Sequence, residues 1–320
     1  MNETLQVLFS LFIFPGLFGM VALALLADWV DRKVYARVQQ RVGPMYTGKA
    51  GILQPLADVI KLLSKEDITP GESSKFMFNF LPLAAFAAVM SAALLLPIGF
   101  LNAYNSFPGD LLIMLYLLGL PTLVYFLAGW HSHSYFGMFG GVRAVTQLFA
   151  YEVPFLLAVL TPALLTGSWQ LSEISRLSAS HPLYLLAHLL AFTVAILGLQ
   201  AKLERVPFDI PEAETEIVGG PTTEYSGRKL AVLHLTHELM FVVGSATLAS
   251  IFLGGFGSGL WQFPLFLVKT FAIIFILSLM RAAAARMRID QLIEFSWKYL
   301  APMSCLQFLF IIVLKVLEIA

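Results

Sequence analysis

The sequence predicts an all-α integral membrane protein of about eight transmembrane helices, and two observations carry this prediction. Of its 320 residues, 58% are hydrophobic and only 12% are charged, whereas a soluble domain is about a quarter charged. Its basic residues are also confined to every second connection between the apolar stretches. An ordinary soluble fold is therefore excluded, and we expect residues 1–320 to form a single transmembrane domain.

Eight stretches are apolar enough to cross the ~30 Å hydrocarbon core, which takes about 20 residues. They are 5–27, 76–100, 111–130, 148–165, 183–201, 230–254, 263–284 and 299–319. The first has no basic segment before it and no small-residue cleavage site after it, so we expect a retained span rather than a signal peptide. Lys269 and Lys315 fall within or near the ends of spans, where long side chains can reach the interface.

Lysine and arginine residues are distributed unevenly between the connections. The loops 31–75, 131–147, 201–229 and 281–298 hold 17 of the 20, and the opposite loops hold only Arg176. Short loops rich in lysine and arginine face the cytoplasm. We therefore expect these four loops in the cytoplasm, both termini outside, and a multi-pass protein of the plasma or inner membrane.

The first of these loops contains an amphipathic segment too short to span a membrane. Its apolar residues recur at helical spacing; they are Leu53, Leu56, Ile60 and Leu63. Asp58 and Lys61 occupy the opposite side of the predicted helix. This pattern is typical of a helix lying at the membrane surface, on the cytoplasmic side.

Charge and cysteine content exclude several kinds of partner and cofactor. The formal net charge is zero, so no basic surplus attracts nucleic acid. Cys305 is the only cysteine, which excludes an internal disulfide and an all-cysteine iron–sulfur cluster within this chain. We expect no metal site either, because the segment from His234 to Glu238 lacks the order of a zinc-protease motif.

Six carboxylates fall within 21 residues of the third charged loop. They are Glu204, Asp209, Glu212, Glu214, Glu216 and Glu224. Neighbouring carboxylates repel, so partial burial raises at least one pKa towards neutrality, as a proton relay requires. The alternative is a solvated acidic loop. Pro207 and Pro211 favour the relay, because they fix the local backbone and hold the acids in place.

Four ionisable residues are predicted at membrane depth, where a charge usually faces a protein interior or a water-filled cavity. Glu152 begins the fourth span, while His234, His237 and Glu238 lie on the sixth. His234 and Glu238 are four residues apart and share a helix face. These groups form either a satisfied hydrogen-bond network between helices or a proton path, and we favour the path.

Basic residues gather in the first and last charged loops. The first offers Arg37 and Arg41, and the last offers Arg281, Arg286 and Arg288 with Asp290. One interpretation is that these charges only set the membrane orientation. The others are contact with lipid headgroups or with a docking protein.

Four motifs in order along the chain carry a family resemblance. They are 41–44 (RVGP) with 53–58 (LQPLAD), 141–147 (GVRAVTQ) with 151–152 (YE), 205–214 (RVPFDIPEAE) with 224–227 (EYSG), and the basic segment 281–298. Together they resemble subunit 1 of complex I (NADH:quinone oxidoreductase) and its relatives in group 4 membrane-bound hydrogenases. The resemblance covers most of the chain.

This resemblance implies a subunit at the heel of an L-shaped complex, where a soluble electron-transfer arm meets the membrane arm. Its partners would be soluble iron–sulfur and large catalytic subunits, antiporter-like membrane subunits and lipids. Iron–sulfur clusters, and in some members a nickel–iron centre, would reside in those partners, with no redox centre in this chain. Enzyme activity would belong to the assembled oxidoreductase, which drives proton or sodium translocation.

The resemblance also implies roles for individual residues. Proton transfer or coupling falls to Glu152, Asp209, Glu212, Glu214, Glu216, Glu224, His234, His237 and Glu238. Docking or lining of the cavity falls to Arg37, Arg41, Asp58, Lys61, Arg143, Arg205, Arg281, Arg286, Arg288 and Asp290.

Two segments bear on which branch of the family this chain resembles. Complex I members typically read Ala-Glu-Thr-Asn-Arg where this chain has 201–205 (AKLER), which places a base, Lys202, near the expected quinone cavity. The segment 235–240 (LTHELM) is more similar to the hydrogenase-related, ferredoxin-linked branch. We therefore favour that branch, with a quinone-cavity subunit as the alternative and quinone use left open.

Two further hypotheses belong to other classes. An independent secondary transporter would show broken helices in matched halves, and no internal repeat is visible in the sequence. A passive anchor would tether the soluble arm without coupling, and its sequence would look the same.

Overall fold

The computed structural model describes residue 12 and residues 16–97, 106–181, 184–255 and 261–317. The regular secondary structure in these ranges is helical throughout, without a strand. This confirms the predicted all-α class.

The helices form a bundle that follows the chain in order. They are α1 Leu17–Val38, α2 Gln54–Ser64, α3 Lys75–Leu95, α4 Asp110–His131, α5 Tyr135–Thr166, α6 Leu171–Ser180, α7 Tyr184–Ala187, α8 Leu189–Lys202, α9 Glu214–Ile217, α10 Gly227–Phe252, α11 Gln262–Ala283, α12 Ile289–Phe295 and α13 Ala301–Val316. A π-helical turn, Ser296–Leu300, continues α12 directly into α13, so that the two form one rod. A 3-10 turn, Lys49–Gly51, precedes α2.

Six helices of the described ranges are long and apolar enough to cross a membrane: α3, α4, α5, α10, α11 and the α12–α13 rod. The multi-pass membrane location is thereby confirmed. The predicted fifth span, 183–201, falls on α7 and on α8, an apolar helix of 14 residues. Residues 5–11 and 13–15 of the predicted first span lie outside the described residues, and 17–27 belongs to α1. The count of eight and the orientation of the termini stay predictions.

Helix α5 begins at Tyr135, well before the predicted start of the fourth span at residue 148. The predicted loop 131–147 is therefore mostly helix, with a short turn between α4 and α5. The 32 residues of α5 extend over about 48 Å at 1.5 Å per residue, which is longer than the hydrocarbon core. Hydropathy locates the membrane, whereas packing against α4 continues the helix beyond it.

Helix α10 lies at the centre of the bundle. It packs against α1, α3 and α11, and 83% of its most apolar stretch is buried, compared with 28% for the α12–α13 rod. The exposed apolar side chains of α11 and α13 are expected to face lipid or another membrane subunit. Polar groups on α10 consequently face protein.

Contacts between the connections gather them at one end of the bundle, called here the charged end. The backbone N–H of Ile68 donates to Ser226 Oγ at 3.0 Å, and that of Met287 donates to the Pro207 carbonyl at 2.9 Å. Arg143, in the predicted loop 131–147, forms an ion pair with Glu216, so all four loops predicted to share a side meet at one end. Helix α2 lies there with Leu56 and Ile60 exposed, and its placement at the membrane surface stays a prediction.

Two lysines away from the charged end bind the carboxyl ends of helices. Lys315 Nζ donates to the Leu164 carbonyl near the end of α5 at 2.7 Å, and Lys269 Nζ donates to the Gly254 carbonyl just after α10. A cation at a helix carboxyl end satisfies unpaired carbonyls and complements the helix dipole. These side chains thus have a structural role inside the protein.

Helices α4 and α5 approach each other through glycine. A methyl group at Gly129 would overlap the carbonyl oxygen of Gly137. At Gly119, on the same helix α4, the nearest atom to such a methyl group would be Glu152 Oε1 at 3.6 Å, an ordinary contact distance. The two positions therefore form a matched pair for testing this packing.

We expect Gly129→Ala to lower the melting temperature of the purified complex, because overpacking costs about 1–3 kcal/mol. Gly119→Ala has the same change in helix propensity without the overlap, and should leave the melting temperature equal or higher. Thermal unfolding in detergent measures both. Equal melting temperatures for the two variants would contradict the close approach of α4 and α5.

Candidate functional site

A cavity of about 520 Å³ lies at the charged end. Its wall comes from α1, α4, α10, α11 and the segment from residue 204 to residue 215. The predicted site residues in the wall are Arg205, Asp209, Glu212, Glu214, His234, His237, Glu238, Arg281 and Arg286. Val206 and Leu233 are the only aliphatic residues among the described residues of this wall. The cavity is therefore suited to water and ions.

The acidic segment is held in place by protein contacts. Phe208 and Ile210 bury their side chains between the acids. Gln200 Nε2 donates to the Val206 carbonyl at 2.6 Å, and the Val206–Pro207 peptide is cis. A side chain at Gly220, which has a φ of 54°, would overlap the Pro211 carbonyl. These contacts fit the prediction that the prolines hold the acids in place, and not a freely solvated loop.

Asp31 on α1 is the buried centre of the charges near the cavity, with no exposed surface. It accepts a hydrogen bond from Ser278 Oγ at 2.6 Å and forms an ion pair with Arg281 on α11. Arg205 Nη1 lies 3.2 Å from the same carboxylate. One acidic side chain thus joins α1, α11 and the segment after α8.

Arg205 extends this network to α10. Its Nη2 donates to both oxygens of Glu238, at 3.0 and 3.2 Å. The guanidinium lies 3.7 Å from the centre of the Phe241 ring, as in a cation–π contact. Planar stacking combined with a two-oxygen contact requires arginine, because a lysine cannot present both faces at once.

Arg32 forms a second link, between α1 and α2. It binds Asp28 at 2.7 Å and Asp58 at 2.6 Å, and Gln54 Nε2 donates to Asp58 at 3.1 Å. Lys61 lies 4.0 Å from Asp58 and is exposed. Asp58 therefore positions the amphipathic helix against the cavity wall and lies outside the wall itself.

Three carboxyl groups of the acidic segment have raised pKa values. Burial raises the pKa of Glu204 well above its usual range, and the charges of Glu212 and Asp209 add to this. Burial, followed by the charges of Asp209 and Glu214, raises the pKa of Glu212 to about 7. Burial also raises the pKa of Asp209, although Arg286 lies only 2.5 Å away. The segment can consequently bind and release protons near neutral pH.

The polar residues of α10 face this segment. His237 Nε2 lies 2.5 Å from the Leu203 carbonyl, and its ring meets the Tyr125 ring edge-on with centres 6.2 Å apart. The Tyr125 hydroxyl donates to the Leu233 carbonyl at 3.1 Å. His234 and Glu238 both line the cavity, as their four-residue spacing suggested. The acidic segment and the ionisable residues of α10 were predicted from separate sequence patterns, and both line the same cavity.

Glu152 lies apart from the cavity wall. Both its oxygens accept hydrogen bonds from Lys202 Nζ at 2.9 Å, and the Lys202 side chain is fully buried. The sequence placed Lys202 near the cavity, but Lys202 is absent from the described wall. It neutralises Glu152, which is also outside the wall.

The remaining predicted residues lie outside the wall. Arg143 binds Glu216 at 2.5 Å, and Arg288 binds Asp290 at 2.7 Å in an exposed pair. Arg37, Arg41 and Glu224 also lie away from the wall, and the two arginines are exposed. Their predicted docking or coupling roles stay predictions.

Sequence reasoning missed several residues of the network. They are Asp28, Asp31 and Tyr125, whereas Arg32 was predicted only as one of the basic residues of the first charged loop. Asp28, Asp31 and Arg32 share one face of a helix end by their spacing, and ionisable residues at that depth are a recognisable signal. Tyr125 gave no such signal. No group of three or more possible metal ligands occurs among the described residues, and acids, arginines and histidines make up most of the described wall.

Comparisons with known proteins extend over the whole bundle. A family profile described as NADH dehydrogenase matches residues 11–312. An NADH-quinone oxidoreductase subunit from Dehalococcoides mccartyi is 39% identical over 299 residues, 90% of this chain and 82% of that protein. An NADH-quinone oxidoreductase subunit from Syntrophotalea carbinolica is 36% identical over 326 residues, 97% of each chain.

A solved structure shows the same architecture. A chain of the membrane-bound sulfane sulfur reductase, an archaeal respiratory membrane complex, matches with a TM-score of 0.85 and 26% identity. The match covers 97% of this chain and 100% of that chain. The likeness therefore extends over the helices and segments that form the cavity wall in this chain.

We expect Asp31→Asn to lower the melting temperature of the complex strongly. The change removes the buried anion that Arg205 and Arg281 share, and breaking a buried ion pair from one side typically costs about 3–5 kcal/mol. Asp290→Asn is the control, because it breaks an exposed pair and should leave the melting temperature unchanged. Similar melting temperatures for both variants would show that Asp31 does not hold the charged end together.

We expect Glu212→Gln to raise the melting temperature near pH 8 and to leave it almost unchanged near pH 4. The folded protein releases the Glu212 proton at about pH 7, whereas the ordinary pKa is 4.5. The wild type therefore loses stability as the pH rises between these values, and neutral glutamine does not. Glu294→Gln, at an exposed position, is the control. A difference independent of pH would contradict the raised pKa.

Proposed function

The chain belongs to the NADH dehydrogenase family as a membrane subunit of a multisubunit respiratory complex, and on this premise we propose that it couples electron transfer in a soluble arm to ion translocation. Its charged end would dock that arm. Its cavity would exchange protons in response to the redox reaction, as one step in moving protons or sodium ions across the membrane.

The cavity wall is the observation that carries this proposal. Six acids and four arginines line it, with two histidines. Charged groups at this density exchange protons readily, and their balance shifts when a neighbouring charge appears. A redox event at the docked arm would supply such a charge. The raised pKa values of Glu204 and Glu212 support a proton-exchanging role.

The docking surface would consist of exposed groups around the cavity. Arg37, Arg41 and Arg288 are exposed at the charged end, and Tyr46 projects fully from the loop before α2. Arginine and tyrosine are the residue types most enriched at the energetic centres of protein interfaces. This surface suits soluble subunits better than it suits lipid alone.

Within the family we propose the ferredoxin-linked, hydrogenase-related branch. Sites for lipid-like ligands are mostly apolar, yet Val206 and Leu233 are the only aliphatic residues in the described wall. Such a wall gives little cover to a quinone tail. The electron acceptor would then be reduced in the soluble arm. Iron–sulfur clusters and a nickel–iron or sulfur-reducing site would reside in partner subunits.

The alternative is a quinone-cavity subunit. It is favoured by the relatives named as subunits of NADH-quinone oxidoreductase, which are 36–39% identical to this chain, whereas the sulfane sulfur reductase chain is 26% identical. In that case a partner subunit would complete an apolar tunnel over the cavity.

The test is purification of the complex through a tag on this chain, followed by reconstitution in liposomes. We expect ferredoxin-driven hydrogen evolution or sulfur reduction, accompanied by ion uptake. Quinone reduction without either reaction would favour the alternative. Isolation of this chain alone, active in transport, would overturn both.

The same liposomes separate coupling from passive anchoring. We expect Glu212→Gln and Glu238→Gln to retain electron transfer and to lose most ion uptake per electron pair. Glu294→Gln should behave as the wild type, because it changes an exposed surface acid. Full ion uptake in both cavity variants would mean that the chain only anchors the soluble arm.

A further inference from the structure

His188 interrupts the predicted fifth span and has no part in the proposed coupling. It separates α7, which ends at Ala187, from α8, which begins at Leu189. We propose that His188 is an acid-sensitive latch: the neutral ring keeps the start of α8 packed in the bundle, and a proton on the ring releases it. The opening is independent of the proposed function, whereas its effect on ion transport rests on that function.

The ring of His188 is enclosed without a polar partner. None of the residue's surface is exposed, and neither ring nitrogen has a hydrogen-bond partner among the described residues. The ring centre lies 4.5 Å from that of Tyr184 and 6.5 Å from that of Phe252. A charged imidazole would be a buried cation without an anion, which is strongly destabilising, and contact with aromatic rings offsets only part of that cost.

Neighbouring helices support the interruption at His188. Gln307 on α13 is buried, and its Nε2 donates to the Ala187 carbonyl at 2.8 Å. On α7, the Tyr184 hydroxyl donates to the Pro162 carbonyl of α5 at 3.3 Å. Side chains of adjacent helices satisfy the backbone of interrupted membrane helices in this way. The bundle therefore holds the interruption closed through a few specific contacts.

The charged groups described on the surrounding elements do not compensate a charge on His188. Tyr184 is the titratable residue in ring contact with it, and no charged side chain of the described residues influences the ring. The charged and titratable residues of α8 and α10 lie in the halves of these helices nearer the charged end. The others are engaged or exposed: Arg143 and Glu152 on α5 form ion pairs, Lys269 and Lys315 bind backbone carbonyls, and Glu173, Arg176 and His181 are exposed.

Helix α8 links the latch to the cavity. Its 14 residues extend over about 21 Å, from His188 at one end to Lys202 at the other. Near that second end, Gln200 Nε2 donates to the Val206 carbonyl at 2.6 Å and helps to hold the acidic segment. Release of α8 at His188 therefore loosens the acidic segment, and acid at this end of the bundle lowers coupled turnover. A pump that acidifies this side would thereby limit itself.

Hydrogen–deuterium exchange in the wild-type complex tests the opening without any substitution. Uptake of one proton on opening changes the opening equilibrium about tenfold per pH unit below the ordinary histidine pKa of about 6.5. Between about pH 6 and about pH 5, we expect peptides within 184–192 to lose protection about tenfold, after correction for the intrinsic pH dependence of exchange. Peptides within the buried stretch 239–252 of α10 are the control and should keep their protection. Equal protection of 184–192 at both pH values would overturn the inference.

His188→Phe separates the proton from the packing, because phenylalanine keeps an aromatic ring and takes up no proton. Its complex should lack the tenfold change in exchange, about one proton's worth per pH unit. If phenylalanine prevents assembly, His188→Gln serves instead, since glutamine is also neutral at both pH values. His181→Gln is the matched control, because His181 is an exposed histidine before α7, and it should respond to pH as the wild type does. A change in exchange that persists without His188 would overturn its assignment as the latch.

Liposomes with the soluble arm outside place the start of α8 at the inner side. Lowering the internal pH from about 7.5 to about 5.5, across the ordinary histidine pKa, should slow ion uptake by the wild type more steeply than uptake by His188→Phe. Equal slowing of the two would overturn the effect on transport. A wild-type complex that takes up no ions at any pH would overturn the proposed function, and hydrogen–deuterium exchange would still decide whether the latch opens.

Discussion

The charged end depends on one buried carboxylate, Asp31. Arg205 and Arg281 reach it from two separate parts of the chain, and Ser278 completes its hydrogen bonding. A buried charge costs several kcal/mol unless others compensate it. The carboxylate of Asp31 and the two guanidinium groups therefore stabilise one another. Their ion pairs hold α1 and α11 against the segment that follows α8.

The same electrostatic constraint produces the chemistry of the cavity. Its wall holds more acids than arginines, and the arginines are already engaged by particular carboxylates, Arg205 by Asp31 and Glu238 and Arg286 by Asp209. Glu204 and Glu212 form none of the ion pairs of the described structure, and burial raises the pKa of both carboxyl groups. A network that stabilises the fold thus leaves two acids able to exchange protons.

Two polar regions of different character follow from this arrangement. The cavity is rich in charge, with acids, arginines and histidines in its described wall. The pair of Lys202 and Glu152 is neutral as a unit, with a fully buried lysine and a partly exposed glutamate. Sequence reasoning interpreted Lys202 as a change to the quinone cavity, whereas the fold places it behind the wall. Among the features of the cavity, the sparse aliphatic lining of the described wall is the one that disfavours a quinone tail.

The sequence by itself determined the helical membrane class, the common end of the four charged loops and most of the acids, because hydropathy and charge are local properties of the chain. It also identified His234 and Glu238 as neighbours, since helical spacing is local. Only the tertiary structure brought Asp31 into contact with Arg205, which lies far along the chain, and separated Glu152 from the cavity. Such pairings depend on how helices pack, and packing is decided by shape complementarity between distant segments rather than by any pattern within one of them.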